Sequence, residues 1–255
     1  MALSLDFPTA EKHDAFRGVP GAFDRTMRAI EWAHSRRLPL QINTTLCGES
    51  AHDLPQMIEL VKQLGIVFWE VFFLVPMGRG SSLRGLTPMQ CEEIFELHYR
   101  VQKEESFLVK VTEAPHFRRY VLQREARANG ISVADHPHVL PAHLVRTEGP
   151  GHSIGLAPQG VNSGNGFLFI SHRGDVFPSG FLPLKAGNIR HQGLAEIYRD
   201  SALFRKLRHP STFRGACGFC NFNTICGGSR SRAFALTGDP LASDPWCAYV
   251  PAPLS

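Results

Sequence analysis

Apolar residues recur along the first half of the chain in two alternating rhythms. Residues 2–6, ALSLD, alternate in short period and end on an acidic residue, which reads as a strand of a βα unit. Phe23, Met27, Ile30 and Ala33 then fall at helical spacing within 22–36. Residues 40–46, LQINTTL, are rich in strand formers, and a second helical stripe follows at Leu54, Ile58, Val61 and Leu64, with Gly65 placed to end it. Residues 66–75, IVFWEVFFLV, are almost continuously apolar, as expected of a strand buried on both faces of a parallel sheet. Thr87 and Pro88 open a third helix carrying Ile94, Leu97 and Val101, and FLVKVT at 107–112 reads as a fourth strand. This strand–helix alternation predicts an α/β fold with parallel pairing and right-handed crossovers. Four such strands would make an incomplete barrel with an open edge, a liability for a free-standing protein.

The rhythm breaks at residues 128–166, a stretch rich in Pro, Gly and His that is expected to be a linker or loop. His136, His138, His143 and His152 lie in it at spacings that match no metal-ligand pattern, so they read as loop histidines. Beyond it, GFLFISHRGDVFPSGF predicts a hairpin, with strand 167–171, a turn at 172–175 and a short return. Gly187 and Asn188 predict a further turn. Leu194, Ile197 and Tyr198, then Leu203, Phe204 and Leu207, mark two short helices, with Ser201 as N-cap of the second. Three segments result: 1–127, 128–166 and 167–255.

Composition narrows the class. Of 255 residues, 43% are hydrophobic and 20% charged, ordinary for a globular chain, and the net charge of +4 comes with no basic run, which argues against a nucleic-acid partner. No apolar stretch approaches the roughly 20 residues that span a bilayer, and the N-terminus lacks the basic and apolar regions of a secretion signal. The expected location is the cytoplasm, with no membrane partner.

Six cysteines then carry the chemistry. Cys47 and Cys91 stand alone, while Cys217, Cys220, Cys226 and Cys247 form a C-x2-C-x5-C-x20-C series. A C-x2-C turn aims two sulfurs at one centre, the next step brings in a third, and the fourth returns from afar to close the site. Four thiolates complete a [4Fe–4S] cubane or a tetrahedral zinc site. Zinc ribbons usually pair two C-x2-C knuckles, so the spacing favours iron–sulfur over zinc. Gly227 and Gly228 would let backbone amides approach an inorganic core. Arg230 and Arg232 follow either as positive charge beside an anionic centre or as solvent-exposed side chains.

The run CGFCNFNTICGGSRSRAFALTGDPLASDPWCAY (217–249) resembles the auxiliary-cluster region of radical SAM enzymes with a SPASM-type domain, in the subgroup of the haem and haem d1 biosynthesis enzymes. GDVFPSGFLPLKAGNI and LAEIYRDSALFRKLR resemble the hairpin and helix before it, and LSLDFPTAEKHDAFRGVPGAFDRTMRAI resembles the middle of a radical SAM barrel. The resemblance implies a partial radical SAM (β/α) barrel followed by a small SPASM-type iron–sulfur domain with one auxiliary [4Fe–4S] cluster. That cluster would pass electrons or anchor substrate. It further implies that Ser4 and Asn43 face S-adenosylmethionine (SAM) and that Arg17 approaches its carboxylate. Family members bind a catalytic cluster in a C-x3-C-x2-C loop, which this sequence lacks, and Pro178-Ser179 stands where many SPASM domains have a further cysteine. The expectation is the C-terminal portion of such an enzyme, unable to cleave SAM alone. An electron donor would serve the cluster. The alternatives are a zinc-stabilised four-cysteine structural or interaction module and half of a split enzyme, in which a separate polypeptide would supply the missing half of the barrel.

Overall fold

A computed structural model of the chain describes residues 1–130 and 161–251, so the four histidines at 136–152 lie outside the described residues. Two compact units are present. One comprises Met1–Leu74 and Leu83–Thr112; the other comprises Val75–Ser82, 113–130 and 161–251.

The first unit is built on β1 (Ala2–Ser4), β2 (Gln41–Leu46), β3 (Phe68–Phe73) and β4 (Leu108–Thr112), paired in parallel in the order β1-β2-β3-β4. The connections carry α1 (Ala10–Arg17), α2 (Ala22–Ser35), α3 (Leu54–Gln63) and α4 (Pro88–Glu104), which is the predicted α/β alternation plus one helix, α1, that the apolar spacing does not reveal. α4 starts where the sequence places it: Thr87 Oγ1 accepts from the Gln90 amide at 3.2 Å, and Gln90 Oε1 accepts from the Thr87 amide at 2.9 Å. This reciprocal cap, with Pro88 in the first turn, contributes about 1 kcal/mol.

The two sheet faces differ in chemistry. Ile42, Thr44 and Leu46 on β2 and Trp69, Val71 and Phe73 on β3 are fully buried. Trp69 Nε1 donates to Thr44 Oγ1 at 2.9 Å, and Thr44 donates to the Leu5 carbonyl at 2.8 Å, tying three strands together inside the core. On the opposite face Ser4, Asn43, Glu70 and Lys110 lie in one register row. Glu70 accepts from Gln41 Nε2 at 3.0 Å and Thr112 Oγ1 at 2.8 Å and pairs with Lys110 at 2.9 Å. β3 is thus buried on both faces only at Phe68 and Trp69; from Glu70 on, alternate residues are half-buried, which corrects the reading of 66–75 as a doubly buried strand. Glu70 is tolerated there because donors from β2 and β4 satisfy it.

α4 packs on β3 through Phe95 against Phe73 (5.6 Å between rings) and His98 stacked on Trp69 (5.5 Å). Such ring pairs add about 0.5–1.5 kcal/mol beyond their buried area.

In the second unit, α5 (His116–Ala128) precedes β5 (Asn162–Ser163) and β6 (Gly166–Phe167), a short parallel pair. The hairpin follows as β7 (Phe169–Ile170) and β8 (Asp175–Phe177). Gly187–Asn188, predicted as a turn, is instead the third strand β9, because Asn188 Nδ2 reaches Asp175 Oδ1 at 2.8 Å and the Ala186 amide reaches the Val176 carbonyl at 2.8 Å. α6 (Leu194–Asp200), α7 (Ala202–Arg208) and α8 (Arg230–Thr237) complete the unit. Ser201 stands at the N-cap of α7 without a side-chain bond. Val176, Ile197 and Phe204 form one apolar cluster, and Leu182, Leu207, Phe213 and Leu241 form another. Among the described residues, no helix is long and apolar enough to cross a membrane.

His98 is fully buried, its Nδ1 2.8 Å from the Ile94 carbonyl, and burial lowers its pKa to about 4. Between that value and the ordinary histidine range near 6.5, an unfolded chain binds a proton that the folded one refuses. Stability therefore falls as pH drops through this window. Melting curves at pH 7 and pH 5 should show a fall in Tm that is smaller in His98→Phe. An equal fall in both proteins would rule His98 out as the group responsible.

Candidate metal centre

The cysteine segment is shaped by short turns. Cys217 ends a 3-10 turn, and its amide donates to Ser243 Oγ at 3.2 Å. After Cys220 the chain turns on Asn223 N–H to the Cys220 carbonyl (3.0 Å) and Cys226 N–H to the Phe222 carbonyl (2.9 Å). Amide hydrogens then aim at sulfur: Phe222 N–H lies 3.4 Å from Cys220 Sγ, and Gly228 N–H 3.3 Å from Cys226 Sγ. Gly228 has φ 64, and a Cβ there would meet Asp244 Cβ at 2.7 Å and Cys217 Sγ at 3.2 Å, so no larger residue fits beside the thiols.

Two arginines fasten the returning segment. Arg230 donates to the carbonyls of Pro240 (3.1 Å) and Ala242 (2.7 Å), lies over the Phe213 ring (4.5 Å), and its Nη2 is 3.6 Å from Cys217 Sγ. Arg232 grips Asp244 through Nε to Oδ1 (3.0 Å) and Nη2 to Oδ2 (2.9 Å), covers Trp246 (4.2 Å) and donates to the Glu113 carbonyl (2.7 Å). Both side chains are fully buried, which overturns solvent exposure as their reading. Asp244 also accepts from the amides of Ser229 (2.8 Å) and Trp246 (3.1 Å). Burial alone would raise its carboxyl pKa, but Arg232, His116 and these donors hold it well below the usual range. Asp244 thereby joins the start of α8 to the stretch that delivers Cys247.

The thiols sense one another. Burial raises Cys226 and Cys220, and raises Cys247 to about 11; the charges of Cys217 and Cys247 push Cys226 up further, and Arg119 pulls Cys220, Cys226 and Cys247 down. Among the four cysteines, the charge of Cys217 acts on Cys220, Cys226 and Cys247, and that of Cys247 acts on Cys226. Among the described residues, no three His, Cys, Asp or Glu side chains form a group that could hold one metal ion as placed. The donor set still fits an iron–sulfur cluster: four thiols, amides and a guanidinium directed at sulfur, and a glycine cradle. Cys47 and Cys91 are fully buried in the first unit.

The other predicted residues separate into two settings. Ser4 and Asn43 are register neighbours on the polar face of the sheet. Arg17 ends α1 and forms an ion pair with the buried Asp6 at 2.5 Å. Arg118 and Arg119 on α5, which the sequence reading missed, belong with the cysteines: Arg118 Nη1 donates to the Ile225 carbonyl at 3.2 Å, beside Cys226.

Residues 162–221, which include Cys217 and Cys220, match the SPASM family, described as an iron–sulfur cluster-binding domain. The chain is 41% identical over 98% of its length to the AdoMet-dependent heme synthase of Methanosarcina barkeri (strain Fusaro / DSM 804), covering 68% of that protein. It is 28% identical over 92% of its length to the pre-heme d1 synthase of Dinoroseobacter shibae (strain DSM 16493 / NCIMB 14021 / DFL 12), covering 58%. The chain belongs to the radical SAM/SPASM family. Its fold resembles Streptococcus suis SuiB, with a TM-score of 0.64 at 15% identity over 97% of this chain and 54% of that one. The chain spans about two thirds or less of the length of these proteins.

The Arg232–Asp244 pair makes a sharp prediction. Asp244→Ala strands a buried guanidinium, so urea denaturation should show a loss of about 3–5 kcal/mol. A loss below about 1 kcal/mol, the size of an exposed pair, would show that the pair is not the fastening.

Proposed function

We propose that Cys217, Cys220, Cys226 and Cys247 hold one [4Fe–4S] cluster, and that the chain uses it as the auxiliary cluster of a radical SAM/SPASM enzyme. What supports this reading is a set of four cysteines in which amides approach the sulfurs of Cys220 and Cys226 and the buried Arg230 approaches that of Cys217, in a unit whose residues 162–221 match an iron–sulfur cluster-binding family. A zinc site asks four donors to meet at about 2.3 Å from one ion. A cubane spreads the same four ligands over four irons, and the C-x2-C-x5-C-x20-C spacing, which lacks the second C-x2-C knuckle of a zinc ribbon, favours it. When bound, the cluster supplies one-electron transfer or an anchoring iron for substrate.

The four-stranded parallel sheet is read as part of the radical SAM barrel, with residues 167–255 as the core of the SPASM-type domain. Ser4 and Asn43, side by side on the polar face, are the candidates to face SAM, and the heme synthase relatives suggest a tetrapyrrole substrate. Arg17, whose Nη2 pairs with Asp6, is the candidate to approach a SAM carboxylate. Within these 255 residues there is no C-x3-C-x2-C loop. Cleavage of SAM therefore calls for a catalytic cluster held by polypeptide outside them, together with an electron donor, in the cytoplasm.

Protein purified without oxygen should carry about four irons and four sulfides per chain with brown colour. Cys226→Ala should lose them, and Cys47→Ala should keep them. One zinc per chain in a colourless protein would replace this reading with a structural module. Incubation of the 255-residue chain with SAM and dithionite should release no 5′-deoxyadenosine, and its release would sink the claim that the catalytic cluster lies elsewhere.

A further inference from the structure

We propose that Asn162 is the positioning residue for the third cysteine of the series. Its side-chain amide holds the Cys226–Gly228 turn, so that the Gly228 N–H meets the Cys226 sulfur and stays on it when that sulfur is a cluster ligand. This rests on the iron–sulfur reading given above. The turn needs an outside hold, because Gly227 and Gly228 both have φ 64, in the left-handed region, and two glycines in succession restrain the backbone very little. Gly228 N–H is the group that lies 3.3 Å from Cys226 Sγ, so its aim depends on how firmly this turn is fixed.

Asn162, in β5, supplies the hold. Its Nδ2 donates to the carbonyls of Gly228 at 2.7 Å and Cys226 at 3.2 Å, one on each side of Gly227. Its Oδ1 accepts from the Ser163 amide at 2.9 Å, which settles that the NH2 end of the side chain faces the turn. Arg230 Nε is a second donor to the Gly228 carbonyl, at 3.3 Å. Two further contacts join the same segments. Arg118 donates to the carbonyls of Val161 (3.1 Å) and Ile225 (3.2 Å), and Ser163 Oγ lies 2.9 Å from Ser231 Oγ. Of these ties between 161–163 and 225–231, the one from Asn162 falls on the turn that carries the N–H to sulfur. Gly227 and Gly228 are buried, so carbonyls released by Asn162 have no easy recourse to water. An N–H on a ligand sulfur favours the more negative, reduced cluster, and such outer partners also keep the ligand in place.

The test compares the full chain with Asn162→Ala, Asn162→Gln and Ser163→Ala, all purified without oxygen and first assayed for iron and sulfide. Two quantities are then read. One is the rate of iron release to a ferrous chelator. The other is the midpoint of a titration in which dithionite is oxidised and one electron enters the cluster, followed by electron paramagnetic resonance. Asn162→Ala should release iron about tenfold faster, the lower end of what loss of an outer partner costs. It should also lower the reduced-to-oxidised ratio at fixed potential about threefold, the effect of one hydrogen bond. Asn162→Gln, with the same amide on a longer stem, should recover part of both changes. Ser163→Ala, which cuts the neighbouring contact off the turn, should keep the wild-type potential. A fully loaded Asn162→Ala with the wild-type release rate and potential overturns the proposal, as does Ser163→Ala moving the potential equally far. Should Asn162→Ala fail to retain iron, amide hydrogen exchange in the metal-free proteins decides. Gly228 should then exchange faster in Asn162→Ala than in wild type, and unchanged protection overturns the proposal. Wild-type protein with no iron would overturn the cluster reading itself and this proposal with it.

Discussion

The buried pair between Arg232 and Asp244 is the constraint on which the cysteine site depends. Its two carboxylate oxygens meet the guanidinium at two points and also hold the amides of Ser229 and Trp246, one at the start of α8 and the other next to Cys247. Removing two charges from water costs several kcal/mol per ion, so the pair is a poor source of net stability. What it supplies is register: with every lone pair assigned, the distant fourth cysteine has one way to return. Glu113 is drawn into the same knot. It is a non-glycine residue at φ 59, and that unfavourable backbone is held by Arg232 on its carbonyl and by Ser229 and Ser231 on its carboxylate.

This rigid frame surrounds thiols that burial keeps protonated. Burial outweighs the nearby arginines at Cys220, Cys226 and Cys247, so the positive charge present does not by itself ionise them. Metal coordination would do so, releasing protons and linking metal binding to the stability of the unit. Arg230, with Nη2 3.6 Å from Cys217 Sγ, would then face an anion at short range. The same side chain therefore organises backbone in the metal-free unit and would balance charge in the loaded one, with two carbonyls and Cys217 Sγ on one guanidinium.

Much of this was legible from the residues. β2, β4 and the Thr87-capped α4 fall within a residue or so of their predicted limits, because alternating apolar positions and a capping box are local signals. The expectation that the four cysteines share one site comes from their spacing. The failures share a cause: tertiary partners that lie far away in sequence. Gly187 and Asn188 look like a turn until Asp175 and Val176 offer them a strand to pair with. Glu70 sits inside an apolar run because Gln41 and Thr112, on neighbouring strands, satisfy it. For Arg230 and Arg232 the sequence leaves solvent exposure open as one of two alternatives, and Asp244 and the 240–242 carbonyls folded over them remove it.

α5 is the most instructive of these. Its sequence, HFRRYVLQREARA, has no clean apolar stripe, and no helix is predicted there. Yet its buried residues include His116, Arg119 and Glu125 alongside Phe117, Val121, Leu122 and Ala126. The stripe exists, but polar side chains fill part of it. A polar residue on the inner stripe of a helix carries a desolvation cost that only a polar or charged counterpart can offset. The counterparts follow the helix by about a hundred residues: Asp244 faces His116, and the Ile225 carbonyl takes Arg118. A helix that looks unamphipathic on an apolar scale can therefore have an inner stripe completed by polar contacts, and Arg118 makes one of them at the residue before Cys226, from a part of the chain in which no cysteine motif occurs.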